Sequence, residues 1–172
     1  MLSDVLPDVL TPNLDVVFCG TAASTKSAAA RAYYAGPGNR FWRTLQEIGL
    51  TPHLLAPSEF QEAPAYGVGF TDLAKHTAGQ DSGLTPEDFD ATALRAKIEE
   101  FAPRAIAFNG KRAGSVVLGI KSPCYGLQPD SFSPTAVFVL PSTSAAAKQH
   151  WDEGYWHKLA AFLRGGDRDS NG

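Results

Sequence analysis

Two short apolar runs, each followed by small residues, do most to constrain how this chain folds. Residues 16–19 (VVFC) lead into 20–24 (GTAAS), and residues 137–140 (VFVL) lead into 141–145 (PSTSA). Runs of β-branched and aromatic residues that stop at small residues predict buried strands of a mostly parallel sheet. Because open α/β sheets hold their ligands at the carboxyl ends of the strands, both turns are candidate site loops.

The rest of the chain alternates predicted strands with predicted helices. Residues 65–71 and 105–108 predict two further strands, and 125–132 an edge strand with a turn. Helices are predicted over 24–34, 39–48, 57–62, 90–101, 111–118 and 152–164, with Thr85-Pro86-Glu87-Asp88 as a helix-start signature. This order predicts one three-layer α/β/α domain spanning residues 1–172 with a mainly parallel central sheet. A flexible arm is expected at 1–13 and a flexible tail at 165–172.

Composition excludes several classes of protein. No run of the 172-residue chain approaches the roughly 18 apolar residues of a membrane span, and the first residues lack the basic start of a signal peptide. Cys19 and Cys124 are too few and too far apart for a disulfide scaffold or a zinc site, and the four histidines lack metal-ligand spacing. We therefore expect a cytoplasmic monomer without metal or cofactor. The net charge of −3 means that any DNA contact rests on a local patch and a pocket.

Five segments, in register, carry a family resemblance. They are 16–20 (VVFCG), 35–42 (AGPGNRFW), 67–73 (GVGFTDL), 108–111 (FNGK) and 140–145 (LPSTSA). On these segments the chain resembles the mismatch-specific uracil and thymine DNA glycosylases of the uracil-DNA glycosylase superfamily. The resemblance implies that superfamily's α/β fold and hydrolysis of the N-glycosidic bond of uracil flipped out of DNA, which makes uracil-containing DNA the expected partner.

The resemblance also implies roles for residues of the base pocket. Tyr34 matches the position whose aromatic ring stacks on the flipped pyrimidine, a contact worth about 1–3 kcal/mol. Asn39 is expected to cap its helix and also to touch the base. Gly20, Thr21 and Ala22 of the first turn are expected to line the pocket.

The first turn departs from the family pattern. Relatives usually carry Gly-Ile-Asn-Pro-Gly there, whose Asn positions the attacking water, but Ala22 stands at that position here. A methyl group neither orients water nor stabilises a positive sugar. Either the enzyme is weak or, as we predict, a carboxylate from elsewhere on the same sheet edge takes this role. Asp72, at the end of the second predicted strand, is the first candidate, and Asp81 in the following loop is the second. Weaker candidates for holding water or a phosphate, or for lining the site, are Ser24, Lys26, His76 and Lys111.

The last turn matches the family's insertion loop, which enters the minor groove and fills the gap left by the flipped base. The hydroxyl and N–H groups of Ser142, Thr143 and Ser144 suit phosphate contacts. The wedge position is Ala146, next to Ala145 and followed by Lys148. Because wedges are normally bulky, this loop is predicted to displace a base weakly unless Lys148 or Gln149 enters the gap.

Two other functions remain open on the sequence. A chain with this pocket and no catalytic group would be a non-catalytic binder of uracil or abasic sites in DNA. An acidic protein would also tolerate a free nucleoside or nucleotide as the substrate of a hydrolase. Ser-His-Asp hydrolase chemistry has no support, because the Gly-x-Ser-x-Gly motif is missing from the sequence.

Overall fold

A five-stranded sheet forms the centre of the protein. The computed structural model describes residues 3–79, 83–132 and 134–169. Its strands are β1 (Val16–Ala22), β2 (Val68–Ala74), β3 (Ala105–Asn109), β4 (Gly126–Phe132) and β5 (Thr135–Leu140), in the order β2-β1-β3-β5-β4. All neighbouring pairs are parallel except β4, which is antiparallel to β5 at the edge. The predicted, mainly parallel α/β sheet is confirmed.

Helices cover both faces of this sheet. They are α1 (Thr25–Ala30), α2 (Phe41–Glu47), α3 (Ala91–Phe101), α4 (Lys111–Leu118) and α5 (Glu153–Asp169), together with 3₁₀ turns at Pro57–Tyr66, Pro86–Asp88 and Ala145–His150. In β1, Val16 and Phe18 point into a core closed by α2 and α5, while Val17 and Cys19 point into a second core closed by α3 and α4. Burial on both faces explains why the strands are unbroken apolar runs.

Four of the sequence predictions placed elements wrongly. The first turn, predicted over 20–24, is strand as far as Ala22, because β1 pairs with β2 up to that residue. The predicted 24–34 helix ends at Ala30, because Arg31 is left-handed with φ 54°. Strand β2 starts at Val68 rather than at residue 65 and continues to Ala74, so Asp72 lies inside a strand and not in a loop. The Thr85–Asp88 signature starts a short 3₁₀ turn (Pro86–Asp88) and not a longer helix. Helix α3 has its own N-cap, Asp90.

The segment predicted as an N-terminal arm packs against the outer edge of β2. Val9 forms an antiparallel bridge with Phe70, and the Val5 N–H donates to the Lys75 carbonyl at 2.7 Å. Leu6 between them is buried. At the other end, α5 continues to Asp169, beyond the predicted helix end at residue 164. Among the described residues, no helix combines the length and hydropathy of a membrane span.

Candidate active site

A cavity of about 560 Å³ opens at the carboxyl ends of the parallel strands. Its volume falls within the usual 300–1,000 Å³ range of small-molecule sites. Both loops that the sequence singled out contribute to its wall, as does the end of β2. The predicted site residues that line it are Gly20, Thr21, Ala22, Ser24, Tyr34, Asn39, Asp72, Lys111, Ser142, Thr143, Ser144 and Ala146.

Asp72 reaches this cavity from the strand next to β1. The parallel register pairs it with Gly20, whose backbone N–H donates to the carboxylate. A Cβ atom at residue 20 would lie 2.9 Å from Asp72 Oδ1, which is closer than real Cβ atoms approach an oxygen. Glycine at this position therefore allows the carboxylate to lie against the first loop.

Burial dominates the electrostatics of Asp72. Its side chain is only 6% exposed, and desolvation raises the pKa of the carboxyl to about 7, even though the Lys75 charge acts in the opposite direction. Asp8 adds a smaller upward effect on this pKa. A carboxyl group whose pKa lies near neutrality is suited to accept a proton from water at physiological pH.

A partly buried charge network lies near Asp72 and involves the N-terminal segment. The Asp8 carboxylate accepts from Lys75 at 2.8 Å, from Lys97 at 2.6 Å and from the Thr71 hydroxyl at 2.7 Å. Although burial raises the pKa of Asp8, these partners hold it below its ordinary value. With Asp72 ionised, the network contains two carboxylates and two ammonium groups, so its charges balance.

Tyr34 presents a ring to the cavity while its hydroxyl is buried. The ring stacks on the fully buried Phe41, with centroids 4.0 Å apart and planes 26° apart. Residue 34 has a left-handed backbone with φ 53°, a conformation that costs a non-glycine residue about 1–2 kcal/mol. Strain of this kind commonly occurs at ligand sites, and here it accompanies the placement of the ring in the cavity wall.

Three further predicted residues each make a contact within the protein and also line the cavity. Asn39 Oδ1 accepts from the Phe41 N–H at 3.0 Å at the start of α2, but the N-cap residue is Arg40 and not Asn39, so the predicted N-cap role is wrong. Ser24 Oγ caps α1 by accepting from the Ser27 N–H at 3.0 Å. Lys111 lies at the start of α4 with its Nζ 4.6 Å from the centre of the Tyr125 ring.

The segment that matches the insertion loop is held on two sides. The Asn109 amide bonds Thr143 twice, accepting from its N–H and donating to its hydroxyl, both at 3.0 Å. On the other side, the Arg40 N–H donates to the Thr143 carbonyl at 3.0 Å. The 3₁₀ turn that follows brings the methyl groups of Ala146 and Ala147 to the cavity.

Several sequence candidates lie elsewhere. Ala145 packs against Gly38, and neither it nor Lys26 nor Lys148 belongs to the cavity wall. His76 lies at a second cavity of about 220 Å³, with Nδ1 3.1 Å from the Ser3 carbonyl. Asp81 falls outside the described residues.

Sequence reasoning gave no site role to several residues of the wall. They include Asn109, Arg112, Tyr125, Ala147 and His150. Asn109 had a usable signal, because it stands in the matching segment 108–111 and ends β3 at the sheet edge where the cavity opens. Among the described residues, no three His, Cys, Asp or Glu side chains are grouped to hold a metal ion.

Comparison with known proteins fits this geometry. Residues 7–164 match the uracil DNA glycosylase superfamily. The chain belongs to that superfamily. Its fold is also similar to the solution NMR structure of a candidate uracil DNA glycosylase from Methanosarcina acetivorans, with a TM-score of 0.67, 24% sequence identity, and coverage of 95% of this chain and 99% of that one. Membership supports a DNA glycosylase that acts on DNA.

Proposed function

We propose that this protein is a monofunctional uracil-DNA glycosylase of the mismatch-specific type, and that Asp72 replaces the missing Asn of the first turn. The observation that carries the proposal is the position of Asp72. Its carboxylate is buried in the cavity wall beside Gly20. In this chain, the position at which relatives carry the water-positioning Asn is occupied by Ala22, which has no polar side chain.

The proposed reaction follows from the chemistry of the glycosidic bond. As the bond breaks, the sugar gains oxocarbenium character, which an ionised carboxylate stabilises. Water then attacks C1′, and the same carboxylate accepts its proton. The base leaves with the bonding electrons. Tyr34 would stack on the flipped base, and the side chain of Asn39, which lines the same cavity, would contact its edge.

The loop from Ser142 to Ala147 would hold the distorted strand by hydroxyl and N–H contacts to phosphates. Its wall-facing methyl groups are small for a wedge. We therefore expect uracil in single strands, or opposite guanine where pairing is weak, to be removed faster than uracil in a stable pair.

The test is strand cleavage by alkali after incubation with labelled uracil-containing oligonucleotides, single-stranded and paired with guanine or adenine. Wild type is compared with Asp72→Asn and Asp81→Asn, and with Asp152→Asn as an exposed carboxylate outside the cavity. We expect wild-type strand breaks, a loss of at least a hundredfold in Asp72→Asn, and little change in the control.

Other outcomes would point to other functions. Loss of activity in Asp81→Asn alone would move the catalytic role to that residue. Tight binding of uracil or abasic DNA without strand breaks would identify a damage-binding protein. Release of base from free nucleosides or nucleotides, but not from DNA, would identify a small-molecule hydrolase.

A further inference from the structure

Two tyrosines and two lysines form a strip that begins in the cavity wall and continues onto α5. Tyr125 and Lys111 both line the cavity, and the Lys111 ammonium group lies over the Tyr125 ring. The ring of Tyr155, on α5, lies beside that of Tyr125, with centroids 5.3 Å apart and planes 50° apart. Lys158, one turn later on the same helix, places its Nζ 5.1 Å from the centre of the Tyr155 ring. We call these four residues the tyrosine strip.

The tyrosine strip is open to solvent and positively charged. Both of its tyrosines are half-buried, and both of its lysines are exposed. Within the part of the chain that the structure describes, neither lysine forms an ion pair with a carboxylate. The whole chain has a net charge of −3, so this strip is a local exception to its overall charge. Two unpaired ammonium groups beside the cavity complement a phosphate backbone.

The alternation of rings and cations suits a single strand better than a duplex. An unpaired base stacks on an aromatic side chain while its phosphates bind nearby cations. A base stacked on a ring is held more strongly than an exposed ammonium group over the same ring. A base would therefore displace each ammonium group from its ring, and the lysine would turn to the adjoining phosphate. In a duplex the bases are already stacked on one another, so the rings of the strip offer them little.

We propose that the tyrosine strip binds the unpaired nucleotides next to the flipped uracil, which makes single-stranded DNA the preferred substrate. This rests on the proposed glycosylase function, because continuity with the cavity aligns the strip with the strand whose base enters it. Tyr125 stacks on the base nearer the cavity and Tyr155 on the next one, while the two lysines contact their phosphates. The small methyl groups of the insertion loop agree with this preference, because an unpaired strand needs no wedge to displace a base.

The test measures binding of a labelled thymidine strand of about twelve nucleotides, alone and paired with its complement, by fluorescence anisotropy. Tyr155→Leu should raise the dissociation constant for the single strand about fivefold to a hundredfold, and that for the duplex at most about twofold. Lys158→Gln should lower the slope of log K against log salt concentration for the single strand by about 0.7, the loss of one phosphate contact. The controls are Tyr66→Leu, at a half-buried tyrosine, and Arg43→Gln, at an exposed cation, both outside the cavity wall. Each should bind both DNAs as wild type does.

The remaining outcomes separate the strip from the proposed function. Urea midpoints report the packing lost in each tyrosine variant, and Lys158→Gln, at an exposed residue, carries the test if Tyr155→Leu does not fold. Wild-type binding and an unchanged salt slope in the strip variants would overturn the inference, as would equal losses for single strand and duplex. If wild type excises uracil in either case, the proposed function survives that result. If wild type excises no uracil but the strip variants bind the thymidine strand more weakly, the proposed function falls and the strip remains a single-strand binding site.

Discussion

Replacement of Asp72 by Asn should stabilise the protein at neutral and alkaline pH while removing its activity. Desolvation is the largest effect on this carboxyl and raises its pKa from an ordinary 3.8 to about 7. One pKa unit corresponds to 1.36 kcal/mol, so keeping Asp72 ionised in the fold costs on the order of 4 kcal/mol. Asparagine retains much of the shape of the side chain without this cost.

The raised pKa of Asp72 determines how the stability of the protein changes with pH. A raised folded-state pKa means that between about pH 4 and 7 the folded protein binds more protons than the unfolded chain. The favourable contribution of Asp72 is therefore complete below pH 4 and is lost as the pH rises through 7, at about 1.4 kcal/mol per pH unit. Asn at residue 72 does not titrate, so this pH dependence is absent from Asp72→Asn. The free energy of unfolding of the variant should therefore exceed that of wild type by an amount that grows from pH 5 to pH 7 and then levels off.

Urea unfolding of both proteins at half-unit steps from pH 5 to 8.5 measures this difference directly. Asp88→Asn serves as the control, because the pKa of the Asp88 carboxyl is shifted in the opposite direction: its hydrogen bond from the Thr85 N–H lowers the pKa. Its stability deficit should stay constant over the same range, where Asp88 is ionised in both states. A difference between Asp72→Asn and wild type that does not change from pH 5 to 8 would refute the reasoning.

Three further predictions concern the same site. Wild-type excision should rise with pH through about 7 as Asp72 ionises, and Asp8→Asn should shift that profile to lower pH by removing a nearby negative charge; an unchanged profile would argue against the electrostatic link. Asn109→Ala removes both bonds to Thr143, so it should lower the urea-derived free energy of unfolding by about 1–3 kcal/mol and raise the KM for DNA, and an unchanged KM would show that the loop is held otherwise. Ala146→Arg adds a wedge, so it should speed excision from duplex DNA more than from single strands, and equal effects on both substrates would contradict the wedge interpretation.

The fold was largely predictable from the sequence because strand burial leaves a strong signal. Apolar runs such as 16–19 and 137–140 are buried on both faces of the sheet, and only a strand between two helical layers requires that pattern. The end of α1 was not predictable, because a run of alanines favours continued helix. Tertiary contacts override that preference, with the Ser27 hydroxyl accepting from the Ala35 N–H at 3.0 Å and the chain reversing to bring Tyr34 into the wall.

The site was predictable where it depends on strand ends and less so where it depends on packing between distant segments. The place of Asp72 in the wall follows from the rule that parallel strands end at one edge. Its ion-pair neighbourhood does not follow, because Asp8 lies in a segment with no strand or helix pattern. That segment is placed by the bridge from Val9 to Phe70 and by the hydrogen bond from the Val5 N–H to the Lys75 carbonyl. Asp8 is far from Lys75 and Lys97 in sequence, and nothing in the local sequence marks those partners.

The structure also explains how two unusual residues at the end of β1, Gly20 and Ala22, depend on each other. Ala22 at the end of β1 provides no polar group, while Gly20 two residues earlier provides no side chain at all. Because β1 and β2 pair in register, Gly20 lies beside Asp72, and its missing side chain admits a carboxylate from the neighbouring strand. A larger residue at position 20 would force that carboxylate away. The proposed catalytic group therefore lies on β2, next to the strand that carries it in relatives and at the same sheet edge. This position requires a glycine at residue 20 as well as an aspartate at residue 72.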